Sequence, residues 1–184
     1  MPLSAPASRE DMHTRQLTCK GYRRRDGLWD IEGHLIDHKP YAFETKWRGH
    51  MPPGRPIHEM WLRITVDEDL MIHASEAAMD HNPYDACPGS LDNFRKLAGI
   101  RIGPGFMREV KARVGATLGC THLVEMIRPL ATTAFQTLVA SEKHMAKQEI
   151  AVEGRPPNVL NTCFAHSDTS PITKERWPAF YVGP

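Results

Sequence analysis

Hydrophobic and polar positions alternate most cleanly in "GLWDIEGHLIDHK", where Trp29, Ile31, Gly33 and Leu35 interleave with Asp30, Glu32 and His34. That period of two predicts a half-buried strand. A second stretch, "IHEMWLRITVDEDLMIHASEAAMD", predicts a hairpin with a strand from Ile57 to Val66, a turn at Asp67, Glu68 and Asp69, and a return strand from Leu70. Its first strand puts His58, Met60, Leu62, Ile64 and Val66 on one face and Glu59, Trp61, Arg63 and Thr65 on the other. Between these stretches, "KWRGHMPPGRP" has enough Pro and Gly to read as loop.

The pattern then turns helical. "SLDNFRKLAG" predicts a helix capped by Ser90 and stopped at Gly99. "GPGFMREVKARVG" predicts a second, with Pro104 at its first position and Phe106, Val110 and Val114 on one stripe. The longest runs from Thr121 towards Lys147, because Leu123, Ile127, Leu130, Ala134 and Leu138 recur every three or four residues. Pro129 offers no N–H to the carbonyl of Glu125, which predicts a kink or a loosened first turn. The small residues of "PLATTAF" predict close packing of this helix on a neighbour.

Strands followed by helices predict an α+β fold, an antiparallel sheet with helices packed on one face. Residues 1–18 read as a flexible N-terminal arm, and 19–184 as a single α+β domain with an irregular C-terminal tail that contains one short strand. The 41% hydrophobic content suits a globular chain of 184 residues. With 23 basic against 22 acidic residues there is no net field to draw nucleic acid or an anionic membrane as partner. "YRRR" is explained by a solvated strand end more simply than by a phosphate site. The early residues hold no signal-like apolar run and no later stretch is long enough to span a bilayer, so a cytoplasmic protein is expected. "RIGPGF" lacks the spacing of a phosphate loop, which argues against a nucleotide.

The candidate chemistry centres on "GCTHLVEM". Cys120 at a helix start is placed where the helix dipole favours a thiolate, His122 can exchange its proton, and Glu125 lies one turn on, near enough to orient the imidazole. The same residues are also compatible with a packed thiol and a capping histidine. His58, on the core face of its strand, is either a hydrogen-bonded core histidine or a catalytic one. Arg63 and Trp61, with Tyr84 of "NPYDACPG", are the substrate-contacting candidates: an anion anchor and aromatic surfaces for a small carboxylated or aromatic ligand. The face that carries Arg63 and Trp61 reads equally as solvated or as a homodimer contact. Cys19, Cys87, Cys120 and Cys163 are too widely spaced for a disulfide framework. If Cys87, Cys120, His122 and Cys163 converge, they suit zinc or an iron-sulfur cluster.

The order strand, hairpin, Cys87 loop, short helices and Cys120-x-His122 at a long helix resembles the U-type iron-sulfur scaffold proteins. It departs from them in lacking a cysteine between Pro88 and Gly119. A broader resemblance, carried by "YRRRDGLWDIEGHLIDHKPY", "IHEMWLRITVDEDLMI", "NPYDACPG", "RIGPGF", "GCTHLVEMIRPLATTAFQT" and "RWPAFY", is to a bacterial family known as domain of unknown function 2889. That resemblance implies no established activity, and points to accessory members of catabolic gene sets for aromatic or acyl-CoA compounds. Three functions are therefore expected to compete. The first is an enzyme without organic cofactor (isomerase, hydrolase or lyase), the second a metal or iron-sulfur carrier, and the third a binding or assembly subunit for a catabolic enzyme.

Overall fold

The structure is a computed structural model that describes residues 3–139, 141, 156–157 and 159–184. The chain divides into two compact units, Met1–Thr137 and Leu138–Pro184. The first unit is α+β. Four antiparallel strands, β1 (Thr14–Arg23), β2 (Trp29–His38), β5 (His58–Val66) and β6 (Ile72–His81), form one sheet in the order β1-β2-β5-β6. Alternation of buried and half-buried residues runs through all of β2. Trp29, Ile31 and Leu35 face inward with Met60, Leu62, Ile64 and Val66 of β5.

Three expectations about the strands change. The flexible arm ends before Thr14, because Thr14 to Thr18 already pair with His38 to His34. This edge strand escapes the sequence pattern since none of its residues is fully buried. The expected loop "KWRGHMPPGRP" contains part of a hairpin, β3 (Phe43–Thr45) and β4 (Gly49–Met51). Arg48 Nη1 donates to the carbonyls of Pro56 and Ile57 at 3.1 Å each, which ties the hairpin turn to the start of β5. The return strand begins at Ile72, since Leu70 occupies a left-handed turn conformation with φ 60°.

After β6, Cys87–Leu97 forms a 3-10 helix. The Ser90 hydroxyl donates to the Cys87 carbonyl at 2.9 Å, and so does not cap a helix as expected. Helix α1 (Phe106–Val114) buries Phe106, Val110 and Val114 and begins after Gly105, whose φ of 82° only glycine adopts without strain; Pro104 therefore lies in the preceding turn. Helix α2 (Thr121–Leu138) continues through Pro129. The extension expected towards Lys147 falls largely outside the described residues.

Helix α2 lies on the inner face of β1 and β2, and two glycines admit it. A Cβ at Gly33 would stand 2.5 Å from Met126 Sδ, and one at Gly21 would collide with the Thr137 side chain. Leu123, Met126, Ile127, Leu130 and Ala134 of the helix are fully buried. In the second unit, α3 (Pro171–Arg176) is capped by Ser170 Oγ, which accepts from Thr173 N at 3.1 Å. The tail's described residues form this helix and 3-10 turns, with no strand.

Candidate functional site

Antiparallel register sets three side chains of neighbouring strands side by side: Arg15 of β1 pairs with Asp37 of β2, which pairs with His58 of β5. Asp37 continues the inward phase of Trp29, Ile31, Gly33 and Leu35, so the last inward position of β2 is a carboxylate with 1% of its side chain exposed. A buried charge of this kind requires partners. Asp37 Oδ2 accepts from Arg15 Nη2 at 2.6 Å and Nε at 3.1 Å. Asp37 Oδ1 accepts from the His58 backbone N–H at 3.2 Å and from His58 Nδ1 at 2.9 Å. His13 Nε2 stands 3.8 Å from Oδ2. Burial alone would raise the Asp37 carboxyl, but the hydrogen bonds from Arg15 and His58 outweigh it and hold the group below the usual carboxylate range.

The start of α2 supplies the other half of the cluster. Cys120 stands at the helix cap, its carbonyl accepting from Val124 N at 2.9 Å. Its Sγ lies 3.7 Å from His122 Nδ1 and 4.0 Å from Met60 Sδ. The His122 ring lies 3.9 Å from that of His58, centroid to centroid, with the planes tilted by 34°. Burial pushes the His122 imidazole below its ordinary value; the His58 and Arg15 charges add to this, while Asp37 and Glu125 oppose it. The base form of His122 is thereby favoured near neutrality.

Glu125 meets Arg15 Nη1 at 3.6 Å, so Arg15 bridges the sheet carboxylate and the first turn of α2. The carboxylate that orients an imidazole here is Asp37, and the imidazole is His58; the expected pairing of Glu125 with His122 is replaced by this one. Asp37, Arg15 and His13 are absent from the sequence-based candidates. The signal for Asp37 was present: counting by two from Trp29 places it on the core face, where a carboxylate needs a partner.

Among the described residues, Asp37, His58 and His122 are brought together with one ligand atom each within 4.8 Å of one another. Cys87 is not part of that group; it begins the 3-10 helix after β6. Cys163 is exposed in the second unit. Tyr84 packs edge-on against Trp47 at 6.2 Å, and both rings are exposed.

Arg63 and Trp61 project from the opposite face of the sheet. Arg63 is held by Glu76 and by Glu32, the latter at 3.4 Å. Trp61 stacks on His34 at 3.7 Å, and its Nε1 donates to Asp80 at 2.8 Å. Glu59 joins His34 at 3.1 Å to His81 at 2.9 Å. The alternation-based polar face thus exists, with Arg63 already engaged by two carboxylates beside a recess of about 310 Å³.

A family model described as "protein of unknown function (DUF2889)" matches residues 13–136. The chain belongs to this family. The match spans all of the DUF2889 cluster, from His13 just before β1 and Arg15 on β1 to Cys120, His122 and Glu125 at α2. No curated protein and no solved structure matches the chain. Among the described residues, no helix is long and apolar enough to cross a membrane.

Proposed function

We propose that this DUF2889 protein is a small cytoplasmic catabolic enzyme that works without an organic cofactor, performing acid/base or thiol chemistry on a small carboxylated or aromatic molecule. Its class would be isomerase, hydrolase or lyase. One observation carries the reading: a series of neighbouring groups in which Cys120 Sγ lies 3.7 Å from His122 Nδ1, the His122 ring 3.9 Å from that of His58 between centroids, His58 Nδ1 2.9 Å from Asp37, and Asp37 2.6 Å from Arg15. The catabolic setting rests on the family resemblance alone.

The roles follow from the environments. Neutral His122 accepts a proton, either from the Cys120 thiol across the Sγ–Nδ1 contact or from a carbon acid of the substrate. In the first case the thiolate left at the amino end of α2 adds to the electrophilic carbon of a double bond, whose π electrons move to the neighbouring atom and take the proton from His122. Elimination then returns that proton to His122 and breaks the C–S bond, freeing the Cys120 thiolate and the isomerised product. His58, its Nδ1–H directed at Asp37, presents its other nitrogen for proton exchange, and ionised Asp37 stabilises an imidazolium formed there. Arg15 keeps Asp37 ionised and is a positioning residue.

Site-resolved alkylation by iodoacetamide at neutral pH tests the thiol arm: Cys120 should react faster than Cys19, whose thiol burial pushes up, and His122→Gln should slow it about tenfold. Equal rates in the two proteins would remove that arm. Solvent deuterium incorporation into a panel of small aromatic and 2-oxo carboxylates tests the carbon-acid arm, with about a hundredfold loss expected in His58→Gln.

A second reading has its own observation. Two imidazoles and a carboxylate within 4.8 Å form a donor set that zinc and similar divalent ions accept. Such an ion would compete with Arg15 and His58 for Asp37, and the thiol-rich set expected for an iron-sulfur cluster is not what this arrangement offers. About one metal per chain in tag-free protein, lost in His58→Ala and His122→Ala and retained in Cys87→Ala, would put this reading first.

A further inference from the structure

The turn before α1 and the middle of α2 line a recess of about 500 Å³ that the His122 cluster does not use. Ile102, Phe106, Met107 and Phe135 give it apolar walls, and Arg108 and Arg128 give it charge. Among the described residues, no aspartate or glutamate lines it.

Several other guanidinium groups of the first unit are matched. Arg15 has Asp37 and Glu125, Arg24 has Asp26 and Asp30, and Arg63 has Glu32 and Glu76. Arg113 donates to the carbonyls of Lys96 and Ala98. At the recess, Arg108 reaches only its chain neighbour Glu109, at 3.9 Å, and Arg128 has no carboxylate partner among the described residues. Arg108 also folds back over the start of α1, since a Cβ on Gly105 would stand 3.5 Å from its Nη2. Two guanidinium groups and the positive end of a nine-residue helix therefore bring one sign of charge to an apolar recess. A field of that kind is complementary to an anion, and apolar walls of this volume are complementary to a small organic body.

We infer that this recess binds a small amphipathic carboxylate, its aryl or acyl body against Ile102, Phe106 and Met107 and its carboxylate between Arg108 and Arg128. The inference is independent of the acid/base reading, because it concerns a different set of residues and is read by binding. A bare inorganic anion would leave the apolar walls unused and should bind weakly.

Calorimetric titration of the full chain at low ionic strength tests it, with octanoate and 4-phenylbutyrate as probes and 1-octanol, 4-phenylbutanol and inorganic phosphate as controls. At least one carboxylate should bind with a Kd of about 1 mM or tighter, with its alcohol and phosphate at least about tenfold weaker. Arg108→Gln combined with Arg128→Gln should weaken binding about tenfold or more, and Ala131→Trp, which fills the recess, should abolish it. Both arginines are exposed, so the double variant should retain its far-ultraviolet circular dichroism, and His122→Gln should bind like the parent. The inference is overturned if neither carboxylate binds by about 10 mM, if the alcohol binds as well as its acid, or if the double variant keeps full affinity. Loss of binding in His122→Gln alone would assign the ligand to the other cluster and overturn it as well.

Discussion

The two faces of the central sheet carry the same kinds of charged residue with opposite consequences. On the outer face, Glu32, Arg63 and Glu76 form ion pairs in contact with water, and Glu59 joins two histidines. On the inner face, Asp37 is withdrawn from solvent beneath the start of α2, and Arg15 and His58 are drawn into satisfying it. Water screens the first set, so each pair there contributes little to stability. Burial removes that screening from the second, so one carboxylate dictates the orientation of His58 and the position of Arg15. The comparison explains why the candidate site sits on the inner face although the outer face has more charges.

The largest expected break in this comparison is Asp37→Ala. It strands Arg15 and His58 and should cost about 2–4 kcal/mol in urea unfolding, the part-exposure of Arg15 limiting the loss. In the parent the sign with pH follows from the lowered Asp37 pKa. The carboxylate's contribution is fully present above its ordinary pKa of about 4 and is lost as pH falls through that range towards the folded value. Asp37→Asn should lack this acid limb, and a parent and variant that lose stability in parallel would contradict the account.

Next in size is Gly33→Val, which drives a side chain into Met126 on the inner face and should destabilise by about 1–3 kcal/mol. A smaller effect is expected from His122. Its folded pKa is lowered, so the unfolded chain takes up the proton first, and native stability should fall as pH drops below about 6.5 and level off below the folded value. His122→Gln should flatten that limb in a stability-pH series. The smallest effect belongs to the outer face: Glu76→Gln should change stability by less than about 1 kcal/mol, and added salt should shrink the difference. A loss there as large as that of Asp37→Ala would erase the distinction between the faces.

Much of the fold was legible because it is local. Trp29 to Leu35 and His58 to Val66 show their faces in a period of two, and Phe106, Val110 and Val114 show theirs in a helical one. The edge strand β1 was not legible beyond its basic end, because an edge open to solvent has no need of alternating apolar residues. The β3–β4 hairpin escaped for a related reason: each strand has three residues, too few to establish a period. Within the candidate site, Cys120 and His122 drew attention because they are close in sequence. Asp37 did not, although its phase was readable, because its partners lie 22 and 21 residues away.

By itself, then, the sequence determined the types of β2, β5, α1 and α2, the inward faces of β2 and β5, and the thiol and imidazole at the start of α2. Chain geometry links neighbouring residues at fixed periods, so these properties need no distant partner. Tertiary structure alone decided that Arg15, Asp37 and His58 share one row, that His122 comes to rest over His58, and that Glu125 turns to Arg15. Those outcomes depend on strand register and on how closely a helix can approach two glycines, which are set by pairing and packing between segments far apart in the chain.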